Sequence, residues 1–343
     1  MSFLINALAS IFVFSIVIFI HELGHFVVAK KSGIKVNEFS IGMGPKLFSK
    51  TKGETDYSIR ALPIGGFVDM EGEDEESEAE GSFSRAPVAN RIAVVVAGAV
   101  MNLILGFVIL VFLTSQQNAI TSRTVSQFHE GAMTQQTGLR VDDEIIAVNG
   151  RRCYIANDII YEFARTQNGT ADFTVRRDGE ITQLEDVTFE TYTDENGYKQ
   201  MVIDFYVYPT EKTVVSVVRE AVHWTMSLAR TIFLSLVDMV TGRVAMNQIS
   251  GPVGIVSVIS EAASVGLKPV LNILALITIN LGVFNLIPFP ALDGGRLVFL
   301  LIELFRGKPI NPKYEIWVNA AGMVILLGFM ALVTFSDVTR LIF

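Results

Sequence analysis

Three residues near the start of this 343-residue chain have the types and spacing of a metal site. They are His21, Glu22 and His25, in the segment Ile20-His21-Glu22-Leu23-Gly24-His25-Phe26, an HExxH pattern. On a helix, positions i and i+4 share a face about 5–6 Å apart, so two imidazoles there can meet one zinc ion. The glutamate between them is placed to take a proton from an activated water. HExxH also arises by chance in unrelated proteins, so its setting matters. From Phe3 to Ala29 the chain has no Lys or Arg, and Glu22 is the single acid. Each ionisable group in such a run costs about 2.5–3.5 kcal/mol on insertion scales, and groups kept at that cost usually face a protein interior or a water-filled cavity. The bland alternative is a satisfied polar cluster that packs helices together.

The elements that must position these residues follow from composition. Half of the chain is hydrophobic and 18% is charged, and the mean hydropathy is +0.45. Most charges lie outside a few long apolar runs, the layout of a membrane protein with polar insertions. The net charge of −8 gives no sign of a nucleic-acid partner. Cys153 stands alone, which excludes an intrachain disulfide and a multi-cysteine metal site. The fold class expected is a polytopic α-helical membrane protein with about four transmembrane helices. Four runs are long enough to cross a bilayer: Phe3–Ala29, Ile92–Leu113, Pro269 to Phe305 with Pro288 and Pro290 breaking it, and Ile316–Phe335. The first lacks a basic flank before it and ends at Lys30-Lys31 with no cleavage site, so it reads as a retained span rather than a signal peptide. Lys30, Lys31, Lys35, Arg85 and Arg91 place the first loop in the cytoplasm, and Arg306, Lys308 and Lys313 place the third there. Both termini and the long loop from about 114 to 265 then face outward, with Lys268 a minor dissent.

The segments divide as span one over 1–30, a cytoplasmic loop over 31–90, span two over 91–114, an outer domain over 115–207, an amphipathic region over 208–265, span three over 266–305 and span four over 316–343. In the cytoplasmic loop, residues 36–70 read as short strands and hairpins punctuated by glycine and proline. The acidic run EGEDEESEAE at 71–80 reads as a solvated, disordered segment. In the region after the outer domain, Arg219, His223, Ser227, Arg230, Asp238 and Thr241 fall on one narrow stripe of an otherwise apolar helix. Such a helix suits the membrane surface, and its charges count against a fifth span. His223 then reads as a solvated residue on the polar stripe.

Zinc needs a third protein ligand and an open position. His129, His223 and Cys153 lie in the outer loop, on the far side from the cytoplasmic ends of the spans. Asp293 remains, in Asn285-Leu-Ile-Pro288-Phe-Pro290-Ala-Leu-Asp293-Gly-Gly295. Its span runs inward, as does the first, so Asp293 and the two histidines share a depth near the cytoplasmic face. The prolines remove backbone donors and bend the chain, and irregular backbone at membrane depth usually lines a cavity.

HELGH in the first span and NxxPxPxLDGG in the third resemble the site-2 protease family of intramembrane zinc metalloproteases, in its bacterial RseP/RasP-like branch. The likeness includes EFSIGMGPKLFS at 38–49, LPIGGFVDMEGE at 62–73, RIAVVVAGAVMN at 91–102 and ISGPVGI at 249–255. The outer loop, with GLRVDDEIIAVNG at 138–150, resembles one PDZ domain over about 115–207, where other members have two. The resemblance implies that His21, His25 and Asp293 bind zinc and that Glu22 is the general base and acid. It implies that Asn285, Pro288 and Pro290 handle substrate near the metal. It implies that 57–70, with Gly65, Gly66 and Phe67, forms a membrane-re-entrant β-hairpin that pairs with an unwound substrate strand. Gly98 and Asn102 match a small-residue helix-contact motif. The implied partner is a single-span membrane protein already trimmed outside, such as an anti-sigma factor or a signal-peptide remnant, and the implied location is the bacterial plasma membrane. A proton-relaying transporter and an inactive PDZ-bearing scaffold are the rival readings from other classes.

Overall fold

The computed structural model describes residues 2–73, 77–166, 168–193, 199–241 and 250–342. Residues 74–76 of the acidic run, 194–198 of the outer loop, and 242–249, which include Ile249 of the ISGPVGI block, lie outside the described residues. The chain forms two compact units, Met1–Ile109 with Thr231–Phe343, and Leu110–Arg230.

The first unit is built on helices α1 (Ser2–Lys31) and α2 (Val88–Ser115), the second of which runs on past the unit's boundary. Four helices among the described residues are long and apolar enough to cross a membrane: Leu8–Lys31, Val88–Ser115, Leu267–Leu286 and Lys313–Arg340. α1 ends where Gly33 turns left-handed (φ +73°) and the Ile34 N–H donates back to the Ala29 carbonyl, a glycine-capped helix end.

Strands β1 (Val36–Lys52) and β2 (Thr55–Met70) follow, joined at the left-handed Gly53. Each is long enough to fold across itself. Phe39 pairs with Val68 on one side and with Tyr57 on the other, and Phe48 pairs with Ile59. The result is a ribbon four strand segments wide, not a simple hairpin, and the stretch Gly66–Met70 forms one of its edges. Gly42, Gly44 and Gly65, all at φ +85° to +90°, supply the kinks. The tip exposes Ile41, Met43, Leu47, Phe48, Ile59 and Leu62.

The acidic run differs from the solvated segment expected. Glu71 accepts from Ser77 Oγ and Asn37 Nδ2, Glu73 pairs with Arg296 at 2.5 Å, and Phe83 just beyond is buried. Glu71 and Glu73 at its start are thus docked, while Glu78 and Glu80 farther along stay exposed.

The third apolar run is also not one span. Helix α5 (Val214–Val240) ends in this unit and helix α6 (Pro252–Val265) is apolar but, at about 21 Å, too short to cross a bilayer core of about 30 Å. Helix α7 (Leu267–Leu286) then stops at Ile287, which is extended (ψ 139°), and a separate helix α8 (Asp293–Arg306) begins after Leu292. Pro288 and Pro290 force the break: each removes an N–H and pushes the residue before it out of the helical region. Helix α9 (Pro312–Ile342) closes the unit.

The second unit holds an antiparallel sheet in the order β10-β3-β4-β6-β7, from β3 (Ile120–Phe128), β4 (Glu144–Val148), β6 (Thr170–Arg177), β7 (Glu180–Thr188) and β10 (Phe205–Thr210). β5 (Arg151–Arg152) pairs with β4, and β8 (Thr191–Thr193) with β9 (Lys199–Met201). Short helices α3 (Met133–Gln136) and α4 (Ala156–Ala164) complete it. Val125, Leu139, Ile145, Phe163, Phe173 and Phe189 fill the core, with the Phe163 and Phe189 rings 4.6 Å apart.

Part of the polar stripe of α5 is covered within this unit, while Arg219 at its start stays exposed. Ser227 Oγ donates to Asp158 Oδ1, Arg230 donates to the Arg152 carbonyl, and Arg230 Nη2 lies 3.2 Å from Asp158. Asp158 is 1% exposed. Burial pushes Glu220 up to about 7 and the Cys153 thiol up to about 12. His223 is half-buried, its ring 6.2 Å from that of Tyr154, and burial lowers its basicity. Periodicity alone does not give the stripe's cover: the compact domain takes Ser227 and Arg230, and Val214, Val215, Val218, Val222 and Met226 are left exposed.

Candidate metal centre

Two imidazoles and one carboxylate converge in the first unit. His21 and His25, one turn apart on α1, are 8% and 9% exposed, with ring centroids 4.7 Å apart and planes at 85°. His21 Nε2 lies 3.2 Å from His25 Nε2 and 3.2 Å from Asp293 Oδ2, and His25 Nε2 lies 3.5 Å from the same oxygen. Asp293 Oδ2 is buried and accepts no hydrogen bond of good geometry. Ligands about 2.0–2.1 Å from a tetrahedral zinc stand roughly 3.3–3.4 Å from one another. The three distances are close to those edges, so two imidazole nitrogens and one carboxylate oxygen converge at the spacing a cation would hold. Among the described residues this is the one group of three His, Cys, Asp or Glu side chains with metal-ligand spacing. These three side chains fit a zinc ion.

Close approach of backbones builds this cluster. Gly24 lies against the Ala97 backbone, where a Cβ would stand 2.7 Å from the carbonyl carbon. Gly98 faces the imidazoles, where a Cβ would overlap His25 Nε2 and stand 2.7–2.8 Å from the His21 ring. The same face of α2 supplies partners: His25 Nδ1 lies 2.8 Å from the Val94 carbonyl, and Asn102 Nδ2 lies 3.3 Å from His21 Nδ1. Replacing Gly98 by Ala is expected to weaken zinc binding by roughly tenfold to a hundredfold, since overpacking a fixed site costs about 1–3 kcal/mol. Metal titration of the purified variant checks this, and affinity equal to that of the unaltered chain would refute it.

Asp293 is aimed by the turn before it. Gly294 and Gly295 sit against the backbone of 286–290, where a Gly294 Cβ would stand 2.6 Å from the Ile287 carbonyl carbon and a Gly295 Cβ 2.5 Å from the Phe289 oxygen. Ala291 holds φ +72°, an uncommon conformation for a non-glycine, and its N–H donates to Asn319 Oδ1 of α9 at 3.3 Å. Gly322 of α9 lies against Pro290. Farther along α8, Arg296 pairs with Glu73 at 2.5 Å, and Glu303 pairs with Arg91 at 2.5 Å.

The remaining sequence candidates divide. Asn285 is 8% exposed, with Nδ2 3.4 Å from His21 Nε2, so it reaches the ring edge that also faces Asp293. Gly66, on the ribbon edge, lies against Glu22, and the Val68 N–H is within hydrogen-bonding reach of the Glu22 carboxylate. Ser15 Oγ donates to the Pro63 carbonyl at 2.8 Å, fixing the ribbon on α1. Gly65 packs on Met43, Phe67 lies under the Arg60 guanidinium at 4.9 Å, and Pro288 and Pro290 shape the turn. Sequence reasoning missed Val94 and Asn102 as partners of the imidazoles. The signal was present: Val94, Gly98 and Asn102 recur every four residues, and Asn102 is a polar side chain in an apolar helix.

The chain matches the family model for peptidase family M50 over residues 9–329. It is 33% identical to the regulator of sigma-W protease RasP of Bacillus subtilis, with 99% of each chain covered. It is 31% identical to the zinc metalloprotease RasP of Bacillus licheniformis, covering 98% of this chain and 99% of the relative. It is 30% identical to the zinc metalloprotease RasP of Shouchella clausii, covering 97% and 99%.

Proposed function

The chain belongs to peptidase family M50 and is a multi-pass zinc metalloprotease of the site-2 class, and on that premise we propose that it cuts single-span membrane proteins within the bilayer. The observation that carries this is the convergence of His21 and His25, on an apolar helix long enough to cross a membrane, with Asp293 at the start of α8, and Glu22 beside the histidines. His21, His25 and Asp293 hold the zinc. When bound, the ion supplies Lewis acidity, which eases ionisation of water near neutral pH and polarises a carbonyl. Glu22 accepts the proton from the attacking water and passes it to the leaving amine. Asn285 Nδ2 donates to the oxygen on which negative charge develops. The Gly66–Met70 edge offers its free backbone groups to a substrate strand, which satisfies the N–H and C=O groups that a helix frees when it unwinds.

The exposed apolar tip of the ribbon and the exposed apolar face of α5 favour contact with lipid. The Lys and Arg distribution favours a bacterial plasma-membrane orientation with the catalytic cluster near the cytoplasmic face and both termini outside. The relative named as a regulator of sigma-W favours anti-sigma-factor-like substrates trimmed on the outer side, with signal-peptide remnants as a second class. We read 115–207 as a single PDZ-like domain. Zinc stoichiometry together with cleavage-site mapping on a model transmembrane substrate in detergent tests the function. One zinc per chain and a cut inside the apolar segment are expected, and metal-free turnover or ion transport without cleavage would overturn the reading.

The outer domain acts as a size filter or as a peptide-capture site. Excising residues 116–230 removes the domain together with the α5 stretch whose polar face it buries, so no charged stripe is left bare. Cleavage of an untrimmed substrate by that variant marks a filter; loss of cleavage of a trimmed one marks capture.

A further inference from the structure

The inference concerns Asn102 and rests on the reading of His21 as a zinc ligand. His21 turns Nε2 toward His25 and Asp293, at 3.2 Å from each. An imidazole that gives Nε2 to a cation carries its proton on Nδ1, and that N–H needs an acceptor to fix the ring. For His25 the acceptor is the Val94 carbonyl, 2.8 Å from Nδ1. For His21 the group at Nδ1 is the side-chain amide of Asn102, two turns farther along the same face of α2. Asn102 is fully buried and its Oδ1 has no hydrogen-bond partner. Its backbone is anchored, because Thr278 Oγ1 of α7 donates to the Asn102 carbonyl at 3.1 Å. With Nδ2 toward His21, two donors would oppose each other as soon as Nε2 bound a metal. A half-turn of the amide, which exchanges two groups of nearly equal size, sets the orphaned Oδ1 at Nδ1–H instead.

We propose that Asn102 is a positioning residue of the metal centre: its Oδ1 accepts from His21 Nδ1–H and holds His21 in the tautomer that presents Nε2 to zinc. α2 therefore orients both imidazoles, one with a backbone carbonyl and one with a side chain, while Gly98 between them leaves room for the rings.

A pure helix-packing role for Asn102 makes the opposite prediction about two substitutions of similar shape. Zinc affinity of the full-length protein in detergent, measured by competition with a chromophoric chelator, separates the two roles. Asn102→Asp keeps an acceptor and is expected to bind zinc within about threefold of the unaltered chain, whereas Asn102→Leu keeps the volume, lacks the acceptor and is expected to lose roughly 10–100-fold. Asn102→Ala, which only removes atoms, carries the same expected loss and stands in should Leu crowd the interface. The visible spectrum of the cobalt-substituted protein should change in Leu and Ala and be restored in Asp. Leu and Ala binding like the unaltered chain, or Asp binding as weakly as Leu, would overturn the proposal. Failure of the underlying reading looks different: the unaltered chain would then bind no zinc, or His21→Ala would bind it normally.

Discussion

Replacing Glu22 by Gln is expected to leave zinc content unchanged and to lower turnover by about 10²–10⁴-fold, the share that general acid–base catalysis usually supplies. Glu22 is not one of the three side chains whose donor atoms converge, so the metal should not depend on its charge. It sits on α1 next to the ribbon edge, against Gly66 and within reach of the Val68 N–H, where a substrate strand would arrive. Gln fills the same space and keeps an acceptor for Val68, which limits the change to the loss of a basic site. Metal analysis and single-turnover cleavage of a model transmembrane substrate check both halves. Normal turnover would remove Glu22 from the role of base, and lost zinc would move it into the ligand set.

Substitution of Asp293 by Ala should act on the metal itself. Two imidazoles alone make a poor zinc site, so the affinity loss should exceed the about 10–100-fold typical of losing a supporting group, and cleavage should vanish with it. Part of any stability change has another origin. Asp293 opens α8, where an acid in the first turn is worth about 0.3–1 kcal/mol against the helix dipole. Asp293→Asn, similar in shape, controls for local packing. Unchanged zinc content in the Ala variant would exclude Asp293 from the ligands.

Much of this site could be read from the sequence because its logic is local. The i, i+4 spacing puts His21 and His25 on one face whatever surrounds them, and the prolines at 288 and 290 must break a helix. An acid in an otherwise apolar run is also visible from the sequence alone, which is why Asp293 stood out. What stayed hidden depends on contacts distant in sequence. The stripe on α5 was visible, but periodicity does not say whether water, lipid or protein covers it, and here Asp158 and the Arg152 carbonyl do. The acidic run looked solvated because the partner of Glu73, Arg296, lies 223 positions away. The four-segment width of the ribbon could not be read because glycine kinks let one strand pair on both sides. Asn102 looked like a helix-contact amide because nothing local shows that the face of α2 that carries it is turned to the imidazoles.

The break between α7 and α8 has a consequence for assembly. Because the third run is not one rod, Asp293 rides on a short helix attached through a bent turn that Asn319 and Gly322 brace from α9. The three donor side chains therefore come from two helices at opposite ends of the chain, and an ion that grips all three would staple the first helix to the eighth. Since binding that favours the folded state alone adds stability by mass action, stripping the ion should loosen the junction of these helices as well as silence the enzyme. Chelator-induced exposure of the 286–295 turn to proteolysis would then report on how the chain was put together, independently of any substrate.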